Sequence, residues 1–286
     1  MGRYVMMPLR QTLTKPDLQL SYLEWHQGEL PLLLLHGLGD QALVWSSLGD
    51  YLAADYHIVA PDMRGHGESS KPESLLDYSF ESAIADLEAL MDRLGWSSAH
   101  VVSHSWTGKL AAIWARQHPE RLRSMILVDP IFIWKMPNFF KLTFPLLYRV
   151  LPFLKSMGPF ASYEEAEKQA QQLSQYQGWT SLHQQAFQAG VEQKPDGSWG
   201  SKFTIAARDG IFEDVMRVAG LTEPVYIPTL FVQPQKGVNR QEWQLKPYKT
   251  YLKNLSLCQV PGNHWPFLTK PEEFNRTVEA FLKQQQ

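Results

Sequence analysis

Short apolar stretches alternate with amphipathic ones along most of the chain. Residues 18–25 alternate apolar and polar positions, as a half-buried strand does, whereas residues 30–35 form a continuous apolar run that suits a strand covered on both faces. Further short apolar runs predict strands at residues 57–60, 101–104, 124–128, 229–232 and 257–260. Most of the predicted strands therefore have no polar face and belong in the interior of a sheet.

Helices are predicted between these strands. Residues 80–94 form the clearest amphipathic pattern, and Gly95 follows the last turn. A second helix is expected to run from Ser105 to about residue 118, and a last one over residues 271–283. Strands and helices that alternate in this order indicate parallel βαβ units, so we expect an α/β fold with a doubly wound, mostly parallel sheet.

The regular alternation of predicted strands and helices stops between residues 130 and 221. Residues 164–177 have a helical, glutamine-rich pattern, residues 191–199 suggest a loop or hairpin, and residues 209–218 predict another helix. We expect this stretch to form a helical lid (cap) inserted after the sixth strand. The core domain would then consist of residues 1–129 and 222–286, and the lid of residues 130–221.

One serine lies between a β-branched run and a helix-favouring run. At such a strand-to-helix turn a hydroxyl projects from the backbone, and the first amides of the helix lie beside any oxyanion on its substrate. The usual motif has glycine two residues before and after the serine, whereas Ser103 and Thr107 flank Ser105 here and Gly108 follows. Ser105 is the candidate nucleophile, and the alternative is an ordinary strand end that caps the next helix.

A serine nucleophile needs a base, and the base needs a third group to hold its tautomer. The best base is His264, which follows the last predicted strand in a loop with Gly262 and Asn263. Asp129 follows another strand. Because ligands bind at the carboxyl ends of parallel strands, Ser105, Asp129 and His264 are expected on one rim of the sheet.

The motifs together resemble the α/β-hydrolase fold family in order and spacing, over roughly residues 15–285. They are Leu35-His36-Gly37-Leu38-Gly39, the turn at residues 61–69, the turn around Ser105, and Gly262-Asn263-His264. The resemblance implies that Ser105 is the nucleophile and that His264 acts as base and then as acid.

The same resemblance assigns the oxyanion hole and the pocket. It implies that the backbone amides of Leu38 and Trp106 bind the oxyanion. His36 is expected to brace this turn at the substrate pocket, and the apolar walls are expected from Trp106, Phe132 and Trp134.

The carboxylate that would orient His264 has a different position in this chain from the one that is usual in the family. The family usually places an aspartate after the seventh strand, where this chain has Gly237, and no carboxylate follows nearby before Glu242. Some haloalkane dehalogenases and lipases of this superfamily supply the acid after the sixth strand, which is the position of Asp129. We therefore favour Asp129 as the acid, with a strand-end cap as the alternative.

These residues predict a cofactor-independent, esterase-like serine hydrolase that cleaves an apolar ester, thioester or related acyl compound through an acyl-enzyme. Trp106 resembles the dehalogenase tryptophan that holds halide, but that reaction needs a carboxylate nucleophile, so dehalogenation is not expected. Two alternatives remain open: a catalytically silent receptor for small molecules, and a C–C hydrolase or lyase that uses the same triad.

The composition of the chain limits the classes of partner, metal and cofactor that we expect it to bind. The 286 residues carry a net charge of -2, which gives no basic face for nucleic acid. The single cysteine, Cys258, excludes an intrachain disulfide and favours a cytoplasmic location. No metal-ligand set or phosphate-binding loop is apparent, so neither metal nor cofactor is expected.

The most apolar region, residues 131–160, contains four prolines and four basic residues, so it does not predict a transmembrane segment. Its aromatic residues, from Phe132 to Phe153, are expected to line the site or to pack on the core. Contact of the lid with a membrane surface is a weaker alternative. The sequence specifies no oligomeric state.

Overall fold

The computed structural model describes residues 8–16, 18–136 and 157–286. Its main feature is an eight-stranded sheet with the order β1-β2-β4-β3-β5-β6-β9-β10. The strands are β1 (Leu9–Lys15), β2 (Leu18–His26), β3 (Leu30–Leu35), β4 (Tyr56–Pro61), β5 (Ala99–His104), β6 (Leu122–Val128), β9 (Thr229–Lys236) and β10 (Leu255–Asn263). β1 and β2 pair antiparallel with each other, β2 is antiparallel to β4, and the remaining pairs are parallel.

Helices cover both faces of this sheet. The helices of the described ranges are α1 (Ser46–Leu52), α2 (Phe80–Arg93), α3 (Trp106–Gln117), α4 (Tyr163–Ala170), α5 (Ser181–Gly190), α6 (Ile205–Arg217), α7 (Glu242–Tyr251), α8 (Pro266–Thr269) and α9 (Pro271–Leu282), of which α1, α2, α3 and α9 contribute to the two cores beside the sheet. The expectation of an α/β fold with a mostly parallel sheet is confirmed. Within the described ranges, no helix is long and apolar enough to cross a bilayer.

The apolar run of β3 shows why central strands lack a polar face. Successive side chains of a strand point to opposite faces. Leu33 and Leu35 accordingly pack into a core with α2 and α3, whereas Leu32 and Leu34 pack into a second core with α1 and α9. Each face is covered, so both sets of leucines are buried, and the carboxyl end of β3 opens onto the rim that holds the candidate site.

Besides α5 and α8, the elements that the sequence patterns missed include β1 and α7. β1 is an edge strand whose residues are mostly exposed, so it carries no apolar run. α7 contains Pro247 in its interior, and a proline there interrupts the helical pattern of the sequence. Both omissions reflect residues whose burial is set by neighbours rather than by a local pattern.

The segment between β6 and β9 contains α4, α5, α6 and a two-stranded hairpin of β7 (Val191–Gln193) and β8 (Trp199–Ser201). The hairpin turns at Asp196 and Gly197, where the sequence predicted it. The predicted aromatic lid residues from Phe139 to Phe153 lie outside the described residues. The division into a core and a lid at residues 130 and 221 stays an expectation.

A buried lysine ties this segment to the core. Lys109 of α3 is 0% exposed. Its ammonium donates to the carbonyl oxygens of Phe132 at 2.7 Å and Trp134 at 3.2 Å, and also to that of Val215 in α6. Two of these bonds join the helix that follows Ser105 to the chain that follows Asp129, and the third joins it to α6.

Lys109→Met is expected to destabilise the fold by about 1–3 kcal/mol at pH 8, because the carbonyls of Phe132, Trp134 and Val215 lose the amino group that donates to them. Burial lowers the pKa of Lys109 from 10.5 to about 7, so between these values the unfolded chain binds more protons than the folded one. The stability advantage of the wild type over Lys109→Met should therefore grow as the pH rises from 7 to 10. Urea unfolding at several pH values measures it, and a constant difference would contradict it.

Candidate active site

The carboxyl ends of β5, β6 and β10 bring three predicted residues together. His264 Nε2 lies 3.1 Å from Ser105 Oγ, and His264 Nδ1 lies 2.6 Å from Asp129 Oδ2. Ser105 and Asp129 are buried, while the His264 ring is partly exposed. The imidazole therefore contacts a hydroxyl on one side and a carboxylate on the other, an arrangement in which it can accept the hydroxyl proton.

The turn at Ser105 is strained. Ser105 has φ 62° and ψ -118°, outside the regions that residues with a side chain ordinarily adopt. The two substitutions in its motif are accommodated by hydrogen bonds: Thr107 Oγ1 accepts the amide of His104 at 3.0 Å, and Ser103 Oγ donates to Ile126 O at 3.3 Å. The altered flanks therefore fit their sites.

Gly108 allows the start of α3 to pack closely against the chain that follows β6. A Cβ added there would lie 2.6 Å from the Cβ of Pro130, which directly follows Asp129. Glycine at this position lets the first turn of α3 approach the chain that leaves β6. The approach helps to bring the nucleophile and the carboxylate to the same rim.

Asp129 is held by four hydrogen bonds. Besides His264, the amides of Val238 and Asn239 donate to it at 2.8 and 3.1 Å, and Asn239 Nδ2 donates at 2.9 Å. Burial acts to raise the pKa of Asp129, but the bonds and the charge of His264 outweigh it, so the pKa lies below its ordinary value. The carboxylate is ionised at neutral pH.

Gly237 leaves the space that the carboxylate of Asp129, the residue after β6, occupies beside His264. A Cβ at position 237 would lie 2.5 Å from Asp129 Oδ2, so the Asp129 carboxylate occupies the space in front of that glycine. Glu242, the other carboxylate near this position, is exposed and pairs with Lys249 at 2.7 Å. Of the two, only Asp129 reaches His264.

The backbone amides of Trp106 and Leu38, expected to form the oxyanion hole, lie at two neighbouring turns of the rim. Trp106 is the first residue of α3, where an amide has no acceptor within its own helix. Leu38 lies in the turn after β3 and lines the same cavity as Ser105. Donors at a helix start and a neighbouring turn are the usual components of an oxyanion hole.

The side chains of His36 and Trp106 do not line the substrate cavity, which corrects the expectation from sequence. His36 is fully buried; its Nε2 accepts the Met63 amide at 2.9 Å, and its Nδ1 lies 2.8 Å from Gly37 O. Burial lowers the pKa of His36, so the ring is neutral. The Trp106 indole is buried and lies nearly parallel to the His66 ring, with centroids 6.4 Å apart. Both rings point away from the rim, since each residue presents its backbone to the site.

The cavity beside Ser105 has a volume of about 460 Å³. Phe132 and Trp134 line it, where the sequence predicted walls. Trp134 stacks on Trp243 with ring centroids 5.9 Å apart, and both indoles are partly exposed. The described lining also includes Leu38, His104, Pro130, Ile131, Ile133, Met136, Phe212, Val238, Asn239, Gln244, Tyr248, His264 and Trp265.

The residues from the β9–α7 region were missed by sequence reasoning. Val238, Trp243 and Tyr248 line the cavity although they lie more than 100 residues from Ser105 in sequence. The clustering of Trp243, Tyr248 and Tyr251 was the available signal. Their placement follows from β9 lying beside β6 in the sheet.

His104 is a further residue missed from sequence. Its Nε2 donates to the backbone carbonyl of His264 at 2.8 Å, and its Nδ1 lies 3.6 Å from Asp40 Oδ2. Burial and the charge of His264 lower the pKa of His104. Trp265 Nε1 donates to the same Asp40 oxygen at 3.1 Å. These contacts fix the loop that carries His264.

One group of described residues departs from the expectation that no metal-ligand set is present. Glu24, His26 and His57 place one potential ligand atom each within 4.8 Å of one another. Glu24 Oε1 lies 2.7 Å from His57 Nε2 and 3.4 Å from His26 Nδ1. The group lies where β4 begins, at the end of the sheet opposite to Ser105, and the contacts among its own members already account for it.

Comparisons with known proteins identify the family of the chain. The sequence model of the alpha/beta hydrolase fold family matches residues 31–271. A fluoroacetate dehalogenase from Burkholderia sp is 25% identical over 265 residues, 88% of this chain and 86% of that protein. Bifunctional epoxide hydrolase 2 from Sus scrofa is 33% identical over 127 residues, 44% of this chain but only 23% of that protein.

A solved structure shares the fold over nearly its whole length. The crystal structure of E-2-(acetamidomethylene)succinate hydrolase superposes with a TM-score of 0.77 and 19% identity, covering 96% of this chain and 99% of the other. The sheet order, the turn at Ser105 and the match over residues 31–271 lead to one conclusion. The chain belongs to the alpha/beta hydrolase fold family.

Proposed function

We propose that the protein is a cofactor-independent serine hydrolase that cleaves an apolar ester, thioester or related acyl compound. The observation that carries the proposal is the continuous contact from Ser105 Oγ to His264 at 3.1 Å and from His264 to Asp129 at 2.6 Å. An alcohol becomes an effective nucleophile when an oriented imidazole removes its proton.

In the first half of the proposed reaction, Ser105 Oγ attacks the substrate carbonyl carbon while His264 Nε2 takes the hydroxyl proton. The carbonyl oxygen becomes an oxyanion, which the amides of Leu38 and Trp106 bind. Collapse of this intermediate breaks the bond to the leaving group, and His264 returns the proton to the departing oxygen or sulfur. The acyl group is then an ester on Ser105.

The second half regenerates the enzyme. His264 removes a proton from water as the water oxygen attacks the Ser105 ester. When the intermediate collapses, His264 returns this proton to Ser105 Oγ, which releases the carboxylic acid and restores the serine hydroxyl. Asp129 stays ionised in both halves and stabilises the imidazolium. Each oxyanion donor is worth about 10²–10³ in rate by comparison with other hydrolases.

The nucleophile decides between the activities of the relatives. A dehalogenase and an epoxide hydrolase act at saturated carbon, and attack there by Ser105 would form an ether. Water cannot release an ether by addition to a carbonyl, so the serine would not be regenerated. Attack on a carbonyl gives an ester that water can cleave, and an alcohol at position 105 therefore favours acyl transfer.

The cavity supports an apolar substrate. Its described walls are mostly aliphatic and aromatic, with Phe132, Trp134 and Phe212 among them. A volume of about 460 Å³ lies within the range of small-molecule sites. A small or medium acyl compound therefore suits it better than a polymer.

A fluorophosphonate probe tests the proposal, because it phosphonylates only a serine that a neighbouring base activates. We expect wild-type protein to be labelled on the peptide that contains Ser105, and Ser105→Ala to remain unlabelled. Ser103→Ala is the matched control and should still be labelled. Hydrolysis of p-nitrophenyl hexanoate should follow the same pattern, whereas tight binding of apolar ligands without labelling or hydrolysis would favour a receptor and contradict the proposal.

A further inference from the structure

Tyr248 is a buried phenol in the wall of the substrate cavity. It lies in α7, is 1% exposed, and packs edge-on against Phe231 with ring centroids 4.7 Å apart. It lines the same cavity as Ser105 and His264. Tyr248 therefore packs against the core on one side and borders the cavity on another.

The other polar side chains of this wall already have partners. Asn239 Nδ2 donates to Asp129 and to the carbonyl of Pro130, and Gln244 Nε2 donates to the carbonyl of Val238. His104 donates to the carbonyl of His264. The indoles of Trp134 and Trp243 are partly exposed and can donate to water.

In contrast, no hydrogen bond within the described ranges involves the Tyr248 hydroxyl, and this oxygen is not among the fully buried unpaired atoms, so it keeps some access to the cavity that the residue lines. A buried phenol ordinarily finds an acceptor, since an unpaired donor costs about 1–3 kcal/mol. Ser105 and His264 are reserved for the reaction. Tyr248 is therefore a buried side-chain donor in the described cavity wall that no described protein acceptor satisfies.

We propose that Tyr248 forms a substrate-binding subsite for a neutral oxygen acceptor, so that the preferred substrate is an apolar acyl compound that bears a second carbonyl, ether or hydroxyl oxygen. This inference rests on the proposed function and names the substrate class of the same site. One donor in an apolar wall fixes the orientation of a ligand without reducing the apolar contact around it.

Charge restricts the acceptor to a neutral group. Burial, together with the nearby charge of Asp129, raises the pKa of Tyr248, so the phenol keeps its proton throughout the working range of pH. The same carboxylate would repel an anionic ligand group. A keto, ether or hydroxyl oxygen satisfies the donor without introducing a charge beside Asp129.

Two matched ester pairs test the subsite. One pair is p-nitrophenyl hexanoate and p-nitrophenyl 5-oxohexanoate, which places the second oxygen in the acyl part; the other is hexyl acetate and 5-oxohexyl acetate, which places it in the alcohol part. We expect the wild type to prefer the oxo ester of at least one pair by about 10-fold in kcat/KM, the effect of one neutral hydrogen bond. Tyr248→Phe should abolish that preference, and the readout is the ratio of kcat/KM between the two esters of a pair rather than either absolute rate.

The control is Tyr251→Phe on the same helix, which should keep the preference. No preference in either pair, or a preference that persists in Tyr248→Phe, would overturn the subsite. Loss of hexanoate hydrolysis in Ser105→Ala tests the hydrolase separately. If no ester is cleaved at all, calorimetric binding of N-phenyl hexanamide and N-phenyl 5-oxohexanamide decides the subsite by the same comparison of wild type and Tyr248→Phe.

Discussion

His264→Ala is expected to lower kcat for p-nitrophenyl hexanoate by about 10⁶-fold, because removing the base leaves Ser105 as an un-ionised alcohol. The imidazole is the group in contact with both Ser105 Oγ and Asp129 Oδ2. The substitution keeps the backbone carbonyl that His104 donates to, so the loop retains this support. The loss should therefore be chemical rather than structural.

Steady-state kinetics and far-ultraviolet circular dichroism of the folded variant provide the measurement. His118→Ala removes an exposed imidazole outside the site and should leave kcat unchanged. Added imidazole should restore part of the activity of His264→Ala, since the alanine leaves space beside the cavity. A folded variant that retains more than a hundredth of the wild-type kcat would contradict the role of His264 as the base.

Asp129→Asn is expected to lower kcat by about 10⁴-fold while the binding of substrate changes little. The carboxylate accepts bonds from His264, from two backbone amides and from Asn239 Nδ2. An amide has one acceptor oxygen, so its NH₂ group must face a donor on one side. The imidazole then loses the partner that selects its tautomer and stabilises its charge.

A second variant separates the carboxylate from its position in the sequence. Because a Cβ at position 237 would lie 2.5 Å from Asp129 Oδ2, an aspartate there can place its carboxylate near the same point. In an Asp129→Gly background, Gly237→Asp should recover at least 10-fold of the lost kcat, and Gly237→Asn should recover none. Equal activities of these two double variants would show that the charge facing His264 does not matter.

Local patterns predicted the central strands to within a few residues. β3 was located at both ends, because six consecutive apolar residues between polar turns fit only a strand that is covered on both faces. α2 was located because its apolar residues repeat on one face. The edge strand β1 and the proline-containing α7 were missed, since their apolar positions are few or interrupted.

The sequence predicted where the turn residues of the site lie along the chain, but not the direction in which their side chains point. His36 and Trp106 follow the ends of β3 and β5, as expected, but their rings pack behind the rim. The pattern of a turn locates its backbone amides and does not specify on which side its side chains pack. Residues such as His104 and Tyr248 became visible only through contacts with segments distant in sequence.

The sequence by itself determined the order of strands and helices, the turn at Ser105 and the histidine after the last strand, because these depend on local periodicity and turn chemistry. Only the tertiary structure decided that Asp129 rather than Glu242 reaches His264, and that Gly237 leaves room for it. Lateral strand order placed β6 beside β9, and residues more than 100 positions apart share a wall for that reason. Such distances depend on packing between segments, which no local pattern encodes.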